Sequence, residues 1–199
     1  MVAREGRIPL AFAVVLALAA TARFEWAGLP LWLAAVLLLF LFREPRRSVP
    51  ARPLALVSPV DGRVVSIASR LAPQLRQEMI GIRIQAGPLG PFTVRSPTEG
   101  RILSAPDHAW AADNRPRVVA WVQTDEKDDV LLTLTPRLAK LAPSFYFPLG
   151  SRVGQGQRCG FLPLGGSAEV LVPLSSRLKV QPGDTVRAGA DIIALLVHG

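Results

Sequence analysis

Ser167 follows two glycines in the run Leu164-Gly165-Gly166-Ser167, and an acid sits far upstream in Ser58-Pro59-Val60-Asp61-Gly62. A serine hydroxyl is a poor nucleophile until a base removes its proton, and a glycine pair leaves the preceding carbonyl sterically open in a bend that larger residues resist. The chemistry these residues could do is an attack by Ser167 on its own backbone at Gly166, with Asp61 as a second candidate functional residue. The bland alternative makes Ser167 an ordinary turn residue and Asp61 the cap of a turn, since proline, an acid and glycine in that order build turns without any chemistry.

The elements that would hold these residues fall into two parts, residues 1–48 and 49–199. Half of the 199 residues are hydrophobic and the mean hydropathy is +0.32, too apolar for an ordinary soluble domain unless part of the chain sits in lipid. Ile8 to Ala22 and Leu29 to Phe42 are apolar arms around a mixed break. An arm of about 15 helical residues rises only about 22 Å against roughly 30 Å of hydrocarbon, so a tight transmembrane hairpin that borrows flanking residues is expected. Arg4 and Arg7 precede the first arm, Arg43, Arg46 and Arg47 follow the second, and Arg23 and Glu25 roughly cancel between them. Both ends, and the domain that follows, are therefore expected on the cytoplasmic side of the cell membrane. A cleaved signal peptide is the alternative, disfavoured because no small-residue cleavage site precedes a polar start. The single Cys159 allows no internal disulfide and agrees with a reducing compartment.

The net charge of +8 and pI of about 11.1 fit an anionic membrane surface better than nucleic acid. Arginines cluster beside the apolar arms, and no zinc-finger spacing, basic helix or aromatic-basic ribonucleoprotein pattern is present. Beyond Pro50, prolines and glycines punctuate short Val, Leu and Ile runs, which predicts a mainly β, compact sandwich or barrel-like domain. Strands are expected at Gly62–Ala68, Met79–Gln85, Gly100–Ala105, Arg117–Thr124, Val130–Pro136, Gly160–Pro163, Ala168–Pro173 and Ile192–Val197. A short helix or loop is expected at Leu71–Gln77 and a turn of helix at Leu138–Leu141. The acidic run Asp125 to Asp129 lies between two strands and reads as a solvated hairpin turn before it reads as a metal site.

Ser58-Pro-Val-Asp-Gly-Arg-Val and Ser96-Pro-Thr-Glu-Gly-Arg-Ile repeat one turn pattern before a β run, so the two halves could be related hairpins. The tail from Val180 to Ala194 sets glycine turns around short strands as biotinyl-like and lipoyl-like domains do, but Lys179 lacks the neighbours of a carrier lysine and reads as a solvated edge residue.

Phe42-Arg43-Glu44-Pro45-x-Arg47, the Ser58 to Gly62 motif, and Gly156-x-Arg158-x-Gly160-Phe161-Leu162-x-Leu164-Gly165 together resemble the short, membrane-associated form of the phosphatidylserine decarboxylase family over nearly the whole chain. The resemblance implies a proenzyme in which a serine attacks the carbonyl before it, the resulting ester breaks by β-elimination and hydrolysis, and a pyruvoyl group is left on the new N-terminus. It implies cleavage between Gly166 and Ser167, Asp61 assisting, Arg95 matching a family arginine for an anionic headgroup, and a membrane phospholipid as substrate. The larger fragment would remain the partner of the smaller one.

Two departures from the family pattern accompany it. The segment Gly87 to Pro97 carries Gly90 and Phe92 where the family carries an aspartate and a histidine, and the histidines of this chain, His108 and His198, lie elsewhere. An ungapped alignment through Glu169-Val170-Leu171-Val172-Pro173 places Gly166 at the family serine, one residue before Ser167. In a strand that offset turns a side chain to the opposite face unless a bulge absorbs it. Two other classes of function therefore stand beside the decarboxylase: a non-catalytic homologue that binds a lipid or partner, and a membrane-anchored sandwich-barrel adaptor. No metal cluster, phosphate loop or dinucleotide fingerprint is expected.

Overall fold

The computed structural model describes residues 3–23, 26, 28–45, 47–50, 52, 54–110 and 116–197. Glu25, Arg46 and His198 lie outside the described residues, as do the side chains of Arg4 and His108. The chain divides into two units, Met1–Arg46 and Arg47–Gly199.

The first unit is a pair of helices, α1 (Arg4–Arg23) and α2 (Gly28–Leu41). Small residues let them pack side by side. Ala17 and Ala35 are buried, a Cβ on Gly28 would lie 2.3 Å from Thr21 Oγ1, and Trp32 Nε1 donates to that hydroxyl at 3.2 Å. The distal ends meet as well, through the Ala3 N–H on the Phe42 carbonyl at 2.9 Å. The outward residues Ile8, Phe12, Val15, Leu33, Val36 and Leu37 are exposed hydrophobics, as lipid contact requires. α1 is longer than the apolar arm seen in the sequence. Its segment Glu5–Arg23 is long and apolar enough to cross a membrane, whereas Gly28–Leu41 is shorter.

The second unit is built from fourteen strands: β1 (Ala55–Val57), β2 (Gly62–Ala72), β3 (Gln77–Ala86), β4 (Thr93–Arg95), β5 (Gly100–Trp110), β6 (Pro116–Gln123), β7 (Asp129–Pro136), β8 (Ser144–Phe145), β9 (Arg152–Val153), β10 (Arg158–Phe161), β11 (Gly166–Pro173), β12 (Arg177–Leu178), β13 (Thr185–Val186) and β14 (Ile192–Leu195). Eight of them form one curled sheet in the order β13-β2-β3-β11-β7-β6-β5-β9, and two three-stranded sheets, β1-β14-β12 and β4-β10-β8, complete the unit. The chain is thus mainly β behind apolar N-terminal helices. Leu71–Gln77 takes the loop alternative, and the helical turn expected at Leu138–Leu141 does not form. Pro73 to Arg76 is a tight turn closing the β2–β3 hairpin, with the Arg76 N–H on the Ala72 carbonyl, and residues 138–141 are bends and turns. The short strands β1, β4, β8, β9, β12 and β13 went unforeseen because two or three residues carry no readable alternation.

The repeated turn is the key to the architecture. Ser58 Oγ donates to the Val60 carbonyl at 2.7 Å, and Ser96 Oγ makes the same bond to the Thr98 carbonyl at 2.6 Å. Both serines are fully buried, and a buried hydroxyl needs such a partner. The turns also bond to each other, Val57 N–H to the Pro97 carbonyl at 2.8 Å and Arg95 N–H to the Pro59 carbonyl at 2.9 Å. The strand order of the large sheet is symmetric about this pair: β13 and β9, β2 and β5, β3 and β6, β11 and β7 exchange, as do the two small sheets. β2 and β5 also share a register shift at matching places, Val64/Ser66 and Ile102/Ser104, which increases the twist of both strands.

One face of the large sheet closes over the core. Val64, Ile82, Ile84, Leu132, Leu134, Ala168, Val170 and Val172 pack there against Leu56, Val94, Leu162 and Ile193. The other face carries a small apolar cluster of Ala72, Met79, Leu131 and Leu171 at one end and polar residues toward Ser167. This alternation along β11 decides which way the candidate nucleophile points.

Candidate functional site

Leu164 (φ 54°), Gly165 (φ 72°) and Gly166 (φ 151°) are three consecutive positions with positive φ. At Gly166 the requirement is absolute in both conformation and space. A Cβ there would lie 2.3 Å from the Thr135 carbonyl oxygen and 2.9 Å from the Arg137 nitrogen. A side chain at 166 therefore cannot be accommodated on this backbone, and the first hydroxyl after the bend belongs to Ser167. Gly166→Ala is expected to cost about 2–4 kcal/mol through strain and overpacking, measured as a lowered unfolding midpoint of the full chain.

The register of β11 is regular from Gly166 to Pro173 against β3 and from Gly166 to Leu171 against β7, with Ser167 opposite Gln85 of β3 and Thr135 of β7. No bulge absorbs the one-residue offset. Ser167 consequently lies half-buried on the face opposite Ala168 and Val170. On that face Gln85 does something the sequence did not announce: its side-chain Nε2 donates to the Gly166 carbonyl oxygen at 2.8 Å. This is the carbonyl that a Ser167 attack would convert to an oxyanion, and a donor already aimed at it is the stabilising element such a step uses. A glutamine inside a strand carries no motif, so only the cross-strand register could have revealed it.

Asp61 sits at the entrance to β2. Its Oδ2 accepts from Arg47 at 2.6 Å and its Oδ1 from the Ala188 N–H at 2.6 Å. The row Gly62–Ala86–Gly166 runs across β2, β3 and β11, so Gly62 and Gly166 stand two strand spacings apart, about 10 Å. The structure thus does not bring the Asp61 carboxylate onto the Ser167 hydroxyl. It ties Asp61 to the loop between β13 and β14 instead, where the Gly189 N–H binds the Ser58 carbonyl at 2.8 Å and the Ser58 N–H binds the Asp191 carbonyl at 2.9 Å. Glu99, at the equivalent place in the repeat, is exposed.

The same loop holds a titratable pair. The Arg187 guanidinium hydrogen bonds keep the Asp191 carboxyl below the usual carboxylate range, against a smaller desolvation that raises it and aided by the Arg187 N–H and the charges of Arg187 and Arg47. A carboxyl lowered in the folded state contributes stability above its unfolded pKa of about 3.9 and loses it as pH falls through the folded value. The acid unfolding midpoint of Asp191→Asn is expected to show a weaker pH dependence below about pH 4 than that of the wild type.

Arg95, on β4, donates Nη1 to the Gly156 carbonyl at 2.8 Å, and its stem lies where a Cβ on Gly189 would be, 2.7 Å from Cδ. It braces the two glycine turns. Phe92 is buried and meets Phe161 edge to face at 5.9 Å, while Gly90 lies half-buried in the preceding turn. Cys159 is buried, and that burial raises its thiol pKa well above the ordinary value, so it is inert as a nucleophile. The acidic run is a β6–β7 turn with Lys127 at φ 72°. Asp129 there accepts from Trp121 and Gln123, and no group of metal-ligating side chains is found among the described residues.

No family model and no solved structure matches the chain. Curated proteins do. The chain is 32% identical over 98% of its length, and 96% of theirs, to proteins named phosphatidylserine decarboxylase proenzyme from Burkholderia lata and Burkholderia vietnamiensis, and 31% identical over the same shares to the one from Burkholderia ambifaria. Near-complete coverage at this identity leaves one assignment: this chain belongs to the phosphatidylserine decarboxylase family.

Proposed function

We propose that the chain is a self-processing proenzyme that cleaves between Gly166 and Ser167 and then decarboxylates a serine phospholipid to the ethanolamine phospholipid. The observation that carries this is the Gln85 side-chain amide on the Gly166 carbonyl, 2.8 Å from the oxygen that would take the negative charge. The proenzyme name of the relatives fits self-processing.

In the first step Ser167 Oγ bonds to the Gly166 carbonyl carbon, the Gly166–Ser167 peptide C–N bond breaks, and an ester remains. Gln85 holds the oxyanion, the positive-φ bend presents the carbonyl, and the proton of the half-buried hydroxyl passes by way of solvent to the departing Ser167 nitrogen. Loss of the Ser167 α-proton then expels Gly166 as a carboxylate and leaves a dehydroalanine at residue 167, and water hydrolyses it to the ketone with release of its nitrogen as ammonia. Ser167 would carry the resulting pyruvoyl group, half-buried on the sheet face that it shares with the exposed Gln85 and the buried Thr135. When present, that group supplies an electron sink for the carbanion formed as carbon dioxide leaves. Asp61 acts as a positioning residue: it fixes the loop at Ala188 and Asp191 against Ser58. The helices of the first unit hold the protein at a lipid surface, with the arginines at residues 43–47 on the cytoplasmic side.

A second reading is favoured by Phe92. A buried aromatic ring packed on Phe161 stands where the resemblance expects a histidine, and a scaffold that binds lipid without chemistry would tolerate it. Intact mass of the purified full chain separates the two. Two chains support processing; one chain of 21.4 kDa supports the scaffold.

A further inference from the structure

The polar face that carries Ser167 continues, one row along the strands, into a hollow of about 510 Å³. Its floor is the cross-strand row Arg83–Glu169–Thr133, its far wall is Arg117, and the β2–β3 hairpin curls over it so that Arg70 closes the near side. Among the described residues that line it, three are arginines and one is a carboxylate. Arg70 Nε reaches Glu169 Oε1 at 3.4 Å, and Gly81 allows that crossing, since a Cβ there would lie 2.9 Å from Arg70 Cγ and 3.2 Å from Glu169 Oε1. Arg83 Nε is buried and has no acceptor. A buried guanidinium donor without an acceptor, opening into a hollow, is a site prepared for an anion.

We infer that this hollow binds the phosphodiester of the lipid headgroup. The next row along the same face is Gln85–Ser167–Thr135, two residues on and therefore about 7 Å away. A phosphate held between Arg70, Arg83 and Arg117 places the serine end of a headgroup toward residue 167. The assignment of the headgroup as substrate rests on the proposed decarboxylase function; the anion site itself does not. Arginine suits the task because its planar fork pairs with two phosphate oxygens at once.

The test uses the full-length protein in detergent, titrated with glycerophosphoserine, glycerophosphocholine and inorganic phosphate, with its cleavage state read by mass on the same sample. Saturable binding of both diesters, weakened at least tenfold in Arg83→Gln and again in Arg70→Gln, is the expected result. Arg70 is largely exposed, so its variant keeps the test decisive if the Arg83 variant misfolds. No saturable diester binding, binding unchanged in both variants, or binding of inorganic phosphate alone overturns the inference. Cleaved protein that fails to bind defeats the hollow and leaves the processing intact; uncleaved protein that binds defeats the processing and leaves the hollow.

Discussion

Ser167→Ala is expected to remain a single chain under conditions in which the wild-type protein separates into two, and to show only background decarboxylation of serine-headgroup lipid. The substitution removes the one hydroxyl that directly follows the glycine bend, and no other group can take over. Position 166 has no room for a side chain against the Thr135 carbonyl, and the neighbour on the other side, Ala168, is buried in the core and has no nucleophile. Ser167 is half-buried, and its hydroxyl makes no hydrogen bond to any described residue, so the variant should fold normally; substitutions of this kind usually change stability by no more than about 0.5 kcal/mol. Electrophoresis and intact mass read the cleavage, and release of carbon dioxide from phosphatidylserine reads the activity. A Ser167→Ala chain that still divides would place the nucleophile elsewhere.

Gln85→Ala should slow self-cleavage by about 10²–10³, the loss typical when one oxyanion donor is removed. The expected signature is kinetic. Newly made protein accumulates as precursor, and cleavage proceeds with a far longer half-time, while unfolding changes little because the Gln85 side chain is exposed. A purely structural glutamine would give the reverse pattern: normal cleavage and lower stability. Gln85→Glu tests the charge. It keeps the length but presents an acceptor to the developing oxyanion, so its cleavage should be no faster than that of Gln85→Ala.

Much of this was legible in residues, and the missing parts have physical reasons. The Ser-Pro-x-acid-Gly echo foretold the paired turns because a serine, a proline and a glycine at fixed offsets constrain the backbone locally, and local constraints survive into the fold. The eight strands of four or more residues were found within a few residues, the six long ones because alternation over eight or more residues has one interpretation. Leu71 to Gln77, open between helix and loop in the sequence, becomes a loop because it includes Pro73 and belongs to a hairpin whose length is set by pairing across β2 and β3, not by its own propensity. In the candidate site, Ser167 and Gly166 were visible as a motif. Gln85 was not, since its importance depends on a register between strands eighty residues apart in sequence. Asp61 was visible as an acid in a turn, but its partners Arg47 and Ala188 come from distant segments, and no spacing rule announces them. The same holds for the arginine hollow, which three strands and a hairpin assemble.

The most direct measurement is the identity of residue 167 in the purified full-length protein, read by intact mass and fragmentation of the C-terminal piece. The account predicts a long chain ending at Gly166 and a short one beginning at position 167 with a pyruvoyl group in place of an amine. An undivided chain of 21.4 kDa carrying an intact serine at 167 would contradict it.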